Sequence, residues 1–142
     1  MDEEKKKTIL EFINKHDLMV LSTVAPDNMP EAAVVEFVAT DNFELVFDTF
    51  STYRKYGNIK NNPNVAVVIG WDENITVQYE GIATELTSED ELKKYQAIYF
   101  SKNPDAQKWQ KFAEIRYFKI VPKWARYRDG NTNPMNIFEV KL

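Results

Sequence analysis

The order of apolar and polar residues predicts a chain made mostly of β-strands. The first segment differs, because residues 3–15 place Ile9, Phe12 and Ile13 on one side of an amphipathic helix. Alternating or short continuous apolar runs then predict strands at residues 18–25, 31–40, 43–49, 65–71, 75–86, 115–128 with a bend at Pro122, and 137–142. Short polar turns join many of these runs, which is typical of antiparallel pairing.

Three further helices are predicted between the strands. They lie at residues 53–61, at residues 88–101 behind a capping box formed by Ser88 and Glu91, and after Pro104. A single domain over residues 1–142 is expected, mainly β and antiparallel, with six or seven strands in a barrel or a partly open sandwich and helices at its ends.

Composition removes several classes of function. The chain has no cysteine, which excludes thiolate nucleophiles, iron–sulfur ligation and disulfides and fits a reducing compartment. The formal net charge of −4 argues against a general nucleic-acid binder. With four glycines and neither a G-x-G-x-x-G nor a Walker A sequence, a flavin or nucleotide is not held in the Rossmann manner.

The pattern of charges at the chain start bears on localisation. Residues 1–7 are charged and lack the apolar segment of a secretory signal, and no run approaches the roughly 18 apolar residues of a membrane span. We therefore expect a cytoplasmic protein without membrane contact.

His16 is the only histidine. It follows the first predicted helix, where a cation at the C-terminal end is favourable, so a capping role is preferred over proton transfer or metal ligation. The sequence predicts no metal site and identifies no catalytic acid or base.

The helix at residues 53–61 carries two adjacent cations in its first turn, Arg54 and Lys55. Ser51 and Thr52 are residue types that favour a helix N-cap. A cation near a helix N-terminus costs roughly 0.3–1 kcal/mol because the dipole and the unpaired N–H groups there are positive. A phosphate would reverse that sign, so the arrangement indicates either a phosphate monoester site or a solvated surface pair.

Several motifs occur in a characteristic order along the chain. They are the hairpin strand Pro30–Val38, Phe47-Asp48-Thr49 at a strand end, Tyr53-Arg54-Lys55 at a helix start, Asn58–Pro63 before a buried strand, and Ile75–Ala83 with its Gly-x-Ala end. As an ordered set they resemble the pyridoxamine 5′-phosphate oxidase-like family of FMN-binding split barrels. The resemblance covers nearly the whole chain and implies a split β-barrel.

The resemblance also implies which residues contact a cofactor. Thr49, Tyr53, Arg54 and Lys55 match the family's phosphate and ribityl contacts, with Asp48 beside them. Positions lining the flavin ring would be Val34, Val35, Glu36, Thr76, Trp109 and Trp124, the two tryptophans approaching from either subunit. Other readings stay open: barrel core for the valines, an ordinary strand former for Thr76, and core packing for the tryptophans.

Function is expected to follow the cofactor. The resemblance implies a homodimer with FMN at its interface, acting as an oxidoreductase on an unidentified small molecule. The alternatives are a non-catalytic flavin, deazaflavin or haem binding module, or a cofactor-free scaffold. Pyridoxamine 5′-phosphate oxidation itself is not expected, because the family's true oxidases carry further C-terminal Arg and His residues, and the segment after Arg128 offers none.

Overall fold

The computed structural model describes residues 2–142, which form one antiparallel sheet with helices packed against it. The helices are α1 (Asp2–Ile13), α2 (Arg54–Asn61), α3 (Glu89–Lys102) and a 3₁₀ helix (Pro104–Lys111). The strands are β1 (Leu18–Val24), β2 (Pro30–Glu36), β3 (Val38–Ala39), β4 (Leu45–Phe50), β5 (Asn64–Ile69), β6 (Ile75–Glu85), β7 (Ile115–Asp129) and β8 (Asn136–Lys141). None of the helices in residues 2–142 is long and apolar enough to cross a membrane.

The sheet has the order β2-β1-β5-β6-β7-β4-β3, with β8 added to β7. Every pair is antiparallel, and the sheet curls into a half-barrel. The predicted mainly β, antiparallel split barrel with flanking helices is therefore confirmed. This curl places β2 and the start of α2 on either side of a cleft.

The barrel interior is filled by large apolar side chains. Phe47 and Phe118 stack with ring centroids 5.3 Å apart, and both are fully buried. Tyr79 is buried beside them, and its hydroxyl donates to the main-chain oxygens of Phe43 at 2.7 Å and Ile120 at 3.2 Å. The apolar face of α1 closes one end of the barrel, as the helical pattern predicted.

A second apolar cluster lies outside the barrel, where α3 covers β4 and β7. It contains Val46, Tyr95, Tyr99 and Tyr117. The N-cap of α3 is Ser88, whose hydroxyl accepts a hydrogen bond from the Glu91 N–H at 3.3 Å. This is the first of the two hydrogen bonds of the predicted capping box. Tyr99 of this cluster lies beside the Asp48 side chain on β4.

The predicted strand 31–40 is divided in the structure. Phe37 lies between β2 and β3, is fully buried, and donates its N–H to the Asp17 carbonyl at 3.3 Å. Its own carbonyl accepts from the Asn103 side chain at 3.2 Å. Because these partners come from outside the ladder, the strand breaks where the aromatic ring enters the core.

Strand β7 runs through Pro122 without ending. The pairing with β6 shifts register between Glu80 and Gly81, so that Gly81 faces Pro122 and Glu80 faces Trp124. A bulge of this kind accommodates a residue that has no N–H to donate. Gly81 is required there because a Cβ would lie 2.4 Å from the Val121 carbonyl oxygen.

Candidate cofactor site

Helix α2 begins without a side-chain cap. The N-cap residue is Tyr53, with extended backbone angles and no capping hydrogen bond. The prediction that Ser51 or Thr52 caps this helix was wrong, because both lie in the preceding turn, and the Ser51 N–H donates to the Glu114 carbonyl at 2.8 Å. The first N–H groups of α2 consequently have no protein side-chain acceptor, which is the condition for an anion site.

A cavity of about 640 Å³ lies at this helix start. Its walls come from β1, β2 and the residues around the N-terminus of α2: Leu21, Thr23, Glu31, Ala32, Ala33, Thr52, Tyr53, Arg54 and Lys55. Clefts that bind cofactors commonly have volumes of roughly 300–1,000 Å³. The predicted cations therefore line a cleft large enough for a small-molecule ligand.

The two cations differ in their surroundings. The Lys55 side chain is half-buried, and burial lowers the pKa of its ammonium group. No carboxylate of residues 2–142 lies within ion-pair distance of Lys55, whereas the exposed Arg54 pairs with Glu31. A partly desolvated ammonium without a carboxylate partner is the stronger attractor for an anion.

A buried network of polar side chains lies next to the same cavity. Asn58, one turn after Arg54 in α2, is 5% exposed and donates to Thr23 Oγ1 at 3.0 Å and to Glu31 Oε1 at 2.8 Å. The sequence analysis missed Thr23 and Glu31. The sequence did contain a signal for them. Thr23 and Glu31 are polar residues at inward-facing positions of β1 and β2, two residues along each strand from the apolar pair Leu21 and Ala33.

A smaller cavity of about 340 Å³ adjoins the first and shares Tyr53 and Lys55 with it. Most of the residues assigned to a cofactor by resemblance line it, together with apolar neighbours: Leu18, Val34, Val35, Glu36, Asp48, Thr49, Phe50, Tyr53, Lys55, Trp109 and Ile115. The structure thus brings the β2 segment, the β4 end and the α2 start to one place. Trp109 packs edge-on against Phe50, with ring centroids 5.8 Å apart.

Asp48 is the most perturbed acidic group at this cavity. Burial raises the pKa of its carboxyl to about 6, the neighbouring Tyr99 hydroxyl opposes that shift, and the charge of Glu36 adds to it. Within residues 2–142, Asp48 Oδ2, Thr49 Oγ1 and the hydroxyl of Tyr99 are buried without a well-formed hydrogen bond. Unpaired polar atoms at a cavity wall are suited to a polar ligand.

Two predicted contact residues lie elsewhere in the chain. Thr76 on β6 pairs with Arg128, and Trp124 on β7 donates its Nε1 hydrogen to Glu139 at 2.9 Å. Neither lines the two cavities. His16 is also remote from the two cavities and lies just beyond the end of α1. Its Nδ1 is 3.0 Å from the Phe12 carbonyl oxygen, which is consistent with the predicted capping role.

The comparisons with known proteins identify the family of this chain. The family model described as pyridoxamine 5′-phosphate oxidase matches residues 6–129. The chain therefore belongs to the pyridoxamine 5′-phosphate oxidase family.

Individual relatives cover the chain to different extents. The pyridoxine/pyridoxamine 5′-phosphate oxidase of Rubrobacter xylanophilus is 40% identical over 78 residues, which are 54% of this chain and 36% of that protein. The structure of general stress protein 26 from Bacillus anthracis str. Sterne is 26% identical with a TM-score of 0.75, covering 98% of this chain and 99% of that one. A heme binding protein from Mycobacterium smegmatis shares the fold at 15% identity and a TM-score of 0.79, covering 99% of this chain and 58% of that one.

Proposed function

We propose that this chain binds FMN and acts as an oxidoreductase that transfers hydride or electrons between the flavin and a small molecule. The observation that carries the proposal is the half-buried Lys55, which has no carboxylate partner and lies at the uncapped start of α2 beside the larger cavity. Family membership supports the choice of a flavin phosphate as the anion.

The residues present fit such a cofactor. Lys55, Arg54 and the free N–H groups of α2 would hold the phosphate. Asp48 and Thr49 line the smaller cavity, and their side-chain atoms Oδ2 and Oγ1 are buried without a well-formed hydrogen bond. Trp109 and Phe50 would exclude water on that side. Bound FMN supplies the hydride or electron transfer, while the protein binds and orients it.

Riboflavin should bind far more weakly than FMN. It lacks the phosphate, so it forgoes charge-assisted hydrogen bonds worth roughly 1.5–3 kcal/mol each, and a loss on the order of 100-fold in affinity is expected. Titration of the purified protein with both compounds, followed by flavin fluorescence, measures the ratio. Equal affinities would contradict a phosphate site at α2.

The visible spectrum of the freshly purified protein separates the remaining candidates. A flavin spectrum with FMN in the extract would support the proposal. A deazaflavin or haem spectrum would show that the chain binds that cofactor in place of FMN. Haem is included among the candidates because a structural neighbour is named a heme binding protein. A colourless protein that takes up none of these would leave a cofactor-free scaffold.

The cofactor site is further proposed to lie at a homodimer interface. Strand β2 pairs only with β1 among the strands of residues 2–142, and it leaves Val34 59% exposed and the adjoining Leu18 41% exposed. An unpaired edge with exposed apolar side chains is a surface that a two-fold partner can cover.

Replacing Val34 with Glu should weaken the dimer. A carboxylate on an apolar interface stays desolvated and unpaired, so the dissociation constant of the dimer is expected to rise at least about tenfold. Light scattering after size-exclusion chromatography across a concentration series measures it, with Trp71→Glu, an exposed apolar residue after β5, as the control. A wild-type monomer that binds FMN tightly would contradict the dimer.

A further inference from the structure

The guanidinium of Arg54 already has an anionic partner inside the larger cavity. Its Nη2 forms an ion pair with Glu31 Oε2, and the Glu31 side chain is 22% exposed whereas that of Arg54 is 81% exposed. Both residues line the cavity that would receive a phosphate. The carboxylate therefore occupies a place on the Arg54 fork that a ligand phosphate would otherwise take.

Glu31 is held in this position independently of Arg54. Its other oxygen, Oε1, accepts from Asn58 Nδ2 at 2.8 Å, and Asn58 is itself fixed by burial and by its bond to Thr23 Oγ1 at 3.0 Å. The Arg54 side chain, by contrast, is mostly exposed, and Glu31 is its one ion-pair partner within residues 2–142. When an anion enters, the mobile member of the pair is the arginine, and the carboxylate remains in the cavity wall.

We propose that Glu31 is an internal competitor for the ligand's anionic group: its carboxylate occupies Arg54 in the free protein and repels the phosphate in the complex. This inference rests on the proposed phosphate site. Lys55, which no carboxylate of residues 2–142 pairs with, then supplies the main attraction, and Glu31 sets how tightly a phosphate-bearing ligand is retained.

The electrostatic argument gives the sign of the effect. A carboxylate and a phosphate in one cleft repel each other through a partly desolvated medium, where like charges interact more strongly than in bulk water. Neutralising Glu31 removes that repulsion and also releases Arg54 to bind the phosphate. Glutamine retains the carbonyl oxygen that accepts from Asn58, so the buried network survives the substitution.

The test compares FMN and riboflavin binding to the wild-type protein, E31Q, E31A and E80Q. Glu80 is exposed on β6 and lies outside both cavities, so E80Q controls for the change in net charge. We expect E31Q to bind FMN about 10- to 100-fold more tightly than the wild type, E31A to change in the same direction, and E80Q to leave FMN affinity unchanged. Riboflavin affinity should be the same in all four proteins.

Three results would overturn the inference. If the wild type binds FMN and E31Q binds it equally or more weakly, Glu31 positions Arg54 for the phosphate, and the proposed function survives without the competitor. An equal gain for riboflavin would also overturn it, because the repulsion would then not involve the phosphate. If neither the wild type nor E31Q binds FMN or inorganic phosphate, the proposed phosphate site and the competitor fail together.

Discussion

Replacing both Arg54 and Lys55 with alanine is expected to lower FMN affinity by on the order of 10²–10⁴ while the fold is retained. Charge-assisted hydrogen bonds contribute roughly 1.5–3 kcal/mol each, and the double variant removes both cationic side chains from the start of α2. Most of the loss should come from Lys55, because Arg54 is exposed and pairs with Glu31 whereas Lys55 is half-buried without such a partner. Fluorescence titration of the two single variants and the double variant apportions the effect.

The matched control is the double variant Lys93→Ala with Lys94→Ala. These are also adjacent cations on a helix, but they are both exposed, lie on α3 and line neither cavity. The control should bind FMN as the wild type does. A folded Arg54/Lys55 double variant with unchanged FMN affinity would remove the phosphate site from α2.

Replacing Asp48 with Asn should make the protein more stable than the wild type at neutral and alkaline pH. Burial first, and the charge of Glu36 in addition, raise the pKa of Asp48 to about 6 from its ordinary value of 3.8, against the opposing effect of the Tyr99 hydroxyl. A raised carboxyl pKa means that the folded state prefers the proton. The associated stability is fully present below about pH 4 and is lost as the pH rises through 6.

The size of this effect follows from the shift. About two pKa units correspond to roughly 3 kcal/mol in the free energy of unfolding, which is a large part of the 5–15 kcal/mol typical of a native protein. The difference in stability between Asp48→Asn and wild type should therefore change by up to about 3 kcal/mol in favour of the variant between pH 4 and pH 7.5. Urea unfolding at a series of pH values measures it, on protein freed of any cofactor.

The control for this series is Asp72→Asn, which removes one exposed carboxylate from the turn before β6. A pH-independent difference between Asp48→Asn and wild type would show that the Asp48 carboxyl is not perturbed.

Family resemblance and local pattern predicted which segments would form the candidate site. The β4 end, the α2 start and the β2 segment were each recognisable from residues adjacent in sequence, and the structure brings Val34, Asp48 and Lys55 to one cavity. The N-cap of α2 was missed because Ser51 and Thr52 are favourable by residue type, whereas the main chain enters the helix only after Tyr53. The N-cap preference of a residue type does not specify the main-chain turn that precedes the helix.

The sequence by itself determined the mainly β class, the amphipathic helices and the motifs of the family, because each of these depends on residues a few positions apart. Only the tertiary structure decided that Glu31 pairs with Arg54, that Asn58 holds Glu31, and that Tyr99 lies beside Asp48. It also left Thr76 and Trp124 outside both cavities. Those relations join residues separated by tens of positions, and they depend on how the sheet curls and how α2 and α3 pack on it, which no local pattern encodes.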